Sequence, residues 1–202
     1  MRLAFFVIVS MLFIHESIAS AEESWKLEKD KNGIKVWTRK TPNSQLKEFL
    51  VSTTLNTTTE KLIAFLKNVP QYDKWMFKVQ PGSSKILKKV NDDDFYTYLI
   101  IDAPLIKSRE SISHMIFREP DAKGNIIISF EGAPNLIPLN DNYVRIPVIK
   151  AFFKIDPLEN GKVQLTHQAF SSPGGTIPDF LVNMGAVEAP FYMFTRIKEM
   201  LQ

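Results

Sequence analysis

The stretch from Thr176 to Gln202 limits what this chain can fold into more than any other segment. Phe180, Met184, Val187, Phe191 and Phe194 recur at helical spacing, and Leu181, Val182, Ala186 and Ala189 make the first half apolar on nearly every side. Thr176-Ile177-Pro178-Asp179 supplies a helix start, with Pro178 near the first turn. A helix that is apolar all round has to be enclosed by its own protein. Pro190 lies within the run and cannot donate its amide, which predicts a kink one turn upstream, near Ala186.

The remainder of the chain must therefore provide an enclosure, and its patterning is that of a sheet. Ile86 to Lys89, Phe95 to Ile101, Ser111 to Phe117, Ile126 to Phe130, Val144 to Ile155 and Val163 to Phe170 all read as strands, most of them joined by short turns. Turns in place of helices between strands imply an antiparallel meander, whose inner face needs an apolar cover. Upstream, a short helix is expected from about Ser24 to Lys31. Gly33 then turns the chain into a strand from Ile34 to Arg39, and Pro42-Asn43-Ser44 turns it into a partner strand from Phe49 to Thr53. Thr57-Thr58-Thr59-Glu60 offers a capping box ahead of a helix bearing Leu62, Ile63, Phe65, Leu66 and Val69, which Pro70 ends. The fold class that follows is α+β, a curved antiparallel sheet wrapped around a long C-terminal α-helix.

The N-terminus reads as an export signal. Arg2 precedes an apolar stretch from Leu3 to Ile14, and Ala19-Ser20-Ala21 has the small residues a signal peptidase accepts, so residues 1–21 are expected to be removed and 22–202 to form one domain. The alternative is an uncleaved anchor, although the run falls short of the roughly 20 apolar residues that span a bilayer. Export leads to a periplasm or an extracellular space. The absence of cysteine fits an oxidising compartment without disulfides and removes thiol nucleophiles and thiolate ligands. A net charge of +3 would favour approach to anionic headgroups, but is no nucleic-acid footprint.

Motifs that carry chemistry are sparse. Adjacent positions on two strands could bring His114 and His167 near each other, yet no His-x-His or Glu-x-x-His spacing supports a metal site, so a satisfied core or surface histidine is the better reading of each. Asp92-Asp93-Asp94 lacks the glycine and distant glutamate of a calcium loop and reads as a solvated hairpin tip. Gly174-Gly175 before a helix has no following Gly-Lys-Ser/Thr and reads as a turn. No Gly-x-Ser-x-Gly elbow is present. No cofactor or metal is expected, and a binding protein is favoured over an enzyme.

One assembly of motifs is more specific. Gly33-Ile34-Lys35-Val36-Trp37, then Trp75, then Ser108-Arg109-Glu110, and above all Ser172-Pro173-Gly174-Gly175-Thr176-Ile177-Pro178-Asp179-Phe180-Leu181-Val182-Asn183 resemble the START family, the lipid-transfer domains related to the steroidogenic acute regulatory protein. The match runs over nearly all of Trp25 to Gln202, with Ser172 where the family often has Asp and Glu110 where it often has Asp. The resemblance implies the helix-grip fold with a tunnel that holds one lipid, a transient membrane surface as partner and no nucleic acid. It also implies a gate made by the C-terminal helix and the loop from Asp102 to Lys107, where Leu105 and Ile106 would touch a membrane; the same residues suit an ordinary loop that tucks into the core.

Sterol-carrying relatives hold a buried acid and arginine pair on tunnel-facing strands, and registration from Arg109 places Tyr96 and Met115 at those positions. A neutral head group is then implied, met by Tyr96, Tyr98, Ser113 or His167, with Phe180, Met184, Val187 and Phe191 of the helix along the tail. A register slip of one residue would turn each strand side chain to the other face. Arg109 with Glu110 reads either as a head-group fork or, preferably, as a strand-end salt bridge holding the gate loop. Related helix-grip proteins include cyclases and hydrolases, and an adaptor for a protein partner is a further alternative.

Overall fold

The structure is a computed structural model that describes residues 24–42, 44–103 and 106–202. The export segment read in residues 1–21 and the gate residue Leu105 lie outside the described residues. Among the described residues ten strands share one sheet, in the order β1-β2-β3-β10-β9-β7-β6-β5-β4, with β8 attached to β6. They are β1 Lys26–Lys31, β2 Ile34–Lys40, β3 Lys47–Leu55, β4 Lys85–Asn91, β5 Asp94–Ile101, β6 Arg109–Phe117, β7 Ile126–Gly132, β8 Val144–Arg145, β9 Val148–Leu158 and β10 Lys162–Ser172. All pairs along the path are antiparallel, and the short β8 runs parallel to β6.

Three helices complete it: α1 Thr59–Lys67, α2 Tyr72–Trp75 and α3 Asp179–Leu201. The first begins one residue later than the capping box implies, because Thr58 is the N-cap and its hydroxyl accepts from the amide of Lys61. Pro70 lies in a 3₁₀ turn, Val69–Gln71, that leads directly into α2. The long helix packs on β2, β3 and α2. Asn183 anchors it: its Nδ2 donates to the Gln45 carbonyl at 3.0 Å, and its Oδ1 accepts from the Lys47 amide at 2.9 Å.

Two expected elements differ. The segment expected as a short helix before Gly33 is strand β1, paired with β2 through a bulge between Leu27 and Lys29. Hairpin pairing to a neighbouring strand outweighed its charged, helix-tolerant composition. The single strand expected from Val144 to Ile155 is broken at Pro147, which has no amide to donate to a ladder, so the chain leaves β6 after Arg145 and joins β7 and β10 as β9.

The core accounts for the sheet's two faces. Ile34, Val36, Val51, Leu55, Met115, Ile128, Phe153, Ile155 and Leu165 point inward with Leu62, Leu66, Trp75, Phe194 and Ile197. A second, smaller cluster lies on the outer face, where Tyr98, Ile100 and Ile112 are covered by Leu136, Ile137 and Tyr143 of the β7–β8 connection. Burial on both faces is why alternation fades in the apolar run of β5.

Candidate functional site

Between the inner face of the sheet and α3 the packing opens into two joined chambers of about 290 Å³ each. Phe49, Ile101, Ile146, Ala169, Ser171 and Ala189 line both. The inner chamber is closed by Tyr72, Trp75 and Met76, while the outer one lies under the first half of α3, next to Ala103 and Arg109. Small residues leave this room. Ala151 and Ala169 take inward positions on β9 and β10, and α3 turns Val182, Gly185, Ala186, Ala189 and Met193 toward the space. These five recur at i, i+3, i+4, i+7 and i+11, one stripe of a helix.

That stripe corrects the expected helix contacts. Phe180 is 65% exposed and Met184 61%, so neither reaches the cavity. Val187 and Phe191 pack against the main core from beside the cavity instead of lining it. The periodicity was right and the face was not: bulk marks the outer face here, and small side chains mark the wall of an open space.

On the strands the outcome turns on a single residue of register. Thr97 stands opposite Ser113, and Leu99 opposite Ser111, and these four face the inner chamber. Tyr96 and Tyr98 therefore project from the other side of β5. Tyr96 stacks on His114 at 4.2 Å, and the Tyr98 hydroxyl donates to Glu110 at 3.2 Å within the outer cluster. Burial, reinforced by the Glu110 carboxylate, pushes the Tyr98 phenol up to about 12. Met115 does point inward, but it is packed in the core, where the Tyr72 hydroxyl reaches its sulfur at 3.4 Å.

Arg109 and Glu110 are neighbours on a strand and consequently part company. Glu110 is buried on the outer face 2.9 Å from Arg145, close enough for an ion pair though not aligned as a hydrogen bond. Arg109, 5% exposed, lines the outer chamber and has no acidic partner among the described residues. Its guanidinium donates to the carbonyls of Lys107 and Gly174, its Nε has no partner, and burial lowers its pKa. Arg109 and Glu110 therefore make no ion pair with each other; Arg109 ties the loop before β6 to the turn before α3. Gly174 lets that turn lie against β8, since at φ +67° a Cβ would stand 3.0 Å from the Arg145 carbonyl oxygen.

His167 is where the sequence places it, in the inner chamber, and is 7% exposed. Its ring stacks on Phe153 with centroids 4.0 Å apart, and Phe49 and Phe130 meet it edge-on. Nδ1 lies 2.8 Å from the Phe152 carbonyl oxygen. Burial holds its pKa down at about 4, so the imidazole is neutral. His114 sits on the opposite face, with Nε2 2.6 Å from Asp94. Among the described residues no three of His, Asp and Glu gather to hold a metal ion.

A deep apolar cavity gripped between an antiparallel sheet and a long terminal helix defines a helix-grip protein. The likeness to known proteins is narrower than that. A protein of Xanthomonas axonopodis, described as a STAR-related lipid transfer protein, shares 32% identity and superposes with a TM-score of 0.80 over 88% of this chain and 98% of its own. The human protein STARD10 superposes with a TM-score of 0.72 over 88% of this chain and 74% of its own, at 20% identity. An uncharacterized protein of Pseudomonas aeruginosa, PA1579, is 30% identical over 83% of this chain and 82% of its own length. No family model matches the chain. On the Xanthomonas likeness the chain belongs to the START family of StAR-related lipid-transfer domains.

Proposed function

We propose that the protein carries a lipid, or an apolar molecule of similar size, in the cavity between sheet and α3, and moves it between membranes outside the cytoplasm. The cavity is the observation that supports this most directly: two continuous chambers with mainly apolar walls, opening beside the first half of α3. Their volumes approach the range of small-molecule sites, about 300–1,000 Å³. The Xanthomonas relative's description as a lipid transfer protein agrees with it. Burying a methylene is worth about 0.8 kcal/mol in a tunnel as in a bilayer, so exchange between them is nearly neutral and the carrier removes the cost of crossing water.

Ile106 on the loop before β6 and Phe180, Leu181 and Met184 on α3 are exposed near the mouth and form the membrane-touching gate. No helix among the described residues is long and apolar enough to cross a membrane. A binding role is favoured over a catalytic one because the inner chamber's titratable side chains are a neutral His167 and Tyr72, whose phenol burial pushes far up. Neither is poised for acid–base work near neutral pH.

Native mass spectrometry of the protein purified from its own host, followed by transfer of the extracted lipid between phospholipid vesicles, tests the proposal. A co-purifying lipid whose vesicle-to-vesicle movement the protein accelerates is the expected result. Protein that is empty and leaves the transfer rate unchanged would overturn it.

A further inference from the structure

The inner chamber carries polar groups that the protein itself does not use. The Phe152 carbonyl can only accept, so the proton of neutral His167 resides on Nδ1, and Nε2 presents a lone pair with no partner among the described residues. The stacked Phe153 ring and the Phe152 bond together fix that orientation. On β6 the hydroxyls of Ser111 and Ser113, each residue 6% exposed, face the same chamber and have no partner either. At the closed end Trp75 is buried with its indole N–H unpaired. One acceptor and three hydroxyls able to accept or donate, with Ser171 beside the two β6 serines, therefore line a mainly apolar space whose other hydroxyls, those of Tyr72 and Thr97, donate to backbone carbonyls. No Asp, Glu, Lys or Arg lines it among the described residues. Arg109 and Lys47 line only the outer chamber.

Buried polar groups without partners are costly, and the cost is recovered when a guest supplies the missing hydrogen bonds. A carboxylate or ammonium would enter without a counter-charge in a low-dielectric site, which is worse than leaving the chamber empty. We infer that the inner chamber selects an uncharged hydroxyl or amide on an otherwise apolar ligand, with His167 Nε2 accepting its hydrogen bond and the β6 serines completing the set. This rests on the carrier function proposed above and names the class of cargo.

The test is a competition for the purified protein among 1-dodecanol, its methyl ether and dodecanoic acid, read by displacement of an environment-sensitive apolar fluorophore. The alcohol is expected to bind about tenfold or more tightly than the ether, since the ether cannot donate, and also more tightly than the acid at neutral pH. His167→Phe keeps the aromatic stack and is expected to bring alcohol and ether together; Ser113→Ala is expected to narrow the gap in part. Equal affinity for alcohol and ether in the unaltered protein, or a preference for the acid that disappears in Arg109→Met, would overturn the inference while leaving the carrier function standing. Failure of all three ligands to displace the fluorophore would instead remove the carrier function, and the inference with it. The comparison of ligands in the unaltered protein decides the question even if a variant does not fold.

Discussion

His167 shows how a single side chain ties cavity chemistry to stability. Unfolded, its imidazole takes up a proton as the pH falls through about 6.5. Folded, it stays neutral down to about 4, because a charge among Phe49, Phe130 and Phe153 would have no solvation. The unfolded state thus binds more protons in that window, so stability is fully present above about 6.5 and declines as the pH drops toward 4. At about 1.4 kcal/mol for each pH unit across that window, the loss reaches about 3 kcal/mol. Denaturant melts at pH 7 and pH 4.5 should show a difference of this order that His167→Phe largely removes; an unchanged pH dependence in the variant would contradict it. The chamber's other polar groups were only half legible in the sequence. Ser113 and His167 lay on the inward parity, whereas Tyr96 and Tyr98, suitable head-group partners by residue type, proved to be one residue out of phase. Nothing within β5 marks Thr97 as inward, because the outer cluster buries Tyr98 and Ile100 as the core buries Phe95 and Leu99. The pairing of Thr97 with Ser113 settles the parity, and a register of that kind is set by the partner strand.

Among the elements, α3 reverses the usual reading of an amphipathic helix. Its start, its span and its long reach to Leu201 follow from the Ile177-Pro178 opening and the 3.6-residue recurrence. Its orientation did not follow, because periodicity locates a stripe of large apolar residues and assumes that they face a filled core. Here the inward stripe at the open end is Val182, Gly185, Ala186 and Ala189, and only toward the C-terminus do Met193, Phe194 and Ile197 restore dense packing. The strands repeat the device, with Ala151 and Ala169 between bulkier inward neighbours. Alanines at inward parity are the signal that would have revealed the space. The short β1 departs from its expected helix for the opposite reason: its charges are compatible with a helix, and only its pairing with β2 makes it a strand. If the gap is room for a guest, filling it should cost little. Ala169→Leu is expected to abolish ligand binding while leaving the thermal midpoint unchanged or raised, in contrast to the about 1–3 kcal/mol lost when a methylene is forced into a packed core. Retained binding, or a clear drop in stability, would mean that the space is not a binding cavity.

At the scale of the molecule, a cavity roofed by its own helix exchanges a guest past that roof, and the distribution of apolar surface points to where. Phe180, Leu181 and Met184 emerge on the outer side of the same half-helix whose inner side roofs the outer chamber. Ile106 is exposed on the loop that leads into β6, and Leu139 on the β7–β8 connection, which Lys107 holds through the Asp141 carbonyl at 2.7 Å. Arg109 links the loop before β6 to the turn before α3 by binding the carbonyls of Lys107 and Gly174, so under the proposed carrier function a membrane engaging one would pull on the other. Inserting a phenylalanine or methionine side chain into a bilayer is worth about 1.5–3 kcal/mol each, comparable with what the few hydrogen bonds from Arg109 and Lys107 to backbone carbonyls resist. Docking and opening are then coupled, and they are separable from affinity because none of the rim residues lines the chambers. Phe180→Ser combined with Met184→Ser should slow lipid transfer between vesicles by tenfold or more, with equilibrium binding of the same ligand in detergent-free buffer changed less than about twofold. Vesicle flotation should show the matching loss of membrane association. If transfer proceeds at the unaltered rate, the exposed face of α3 is not the docking surface, and the cavity must exchange its guest through another opening.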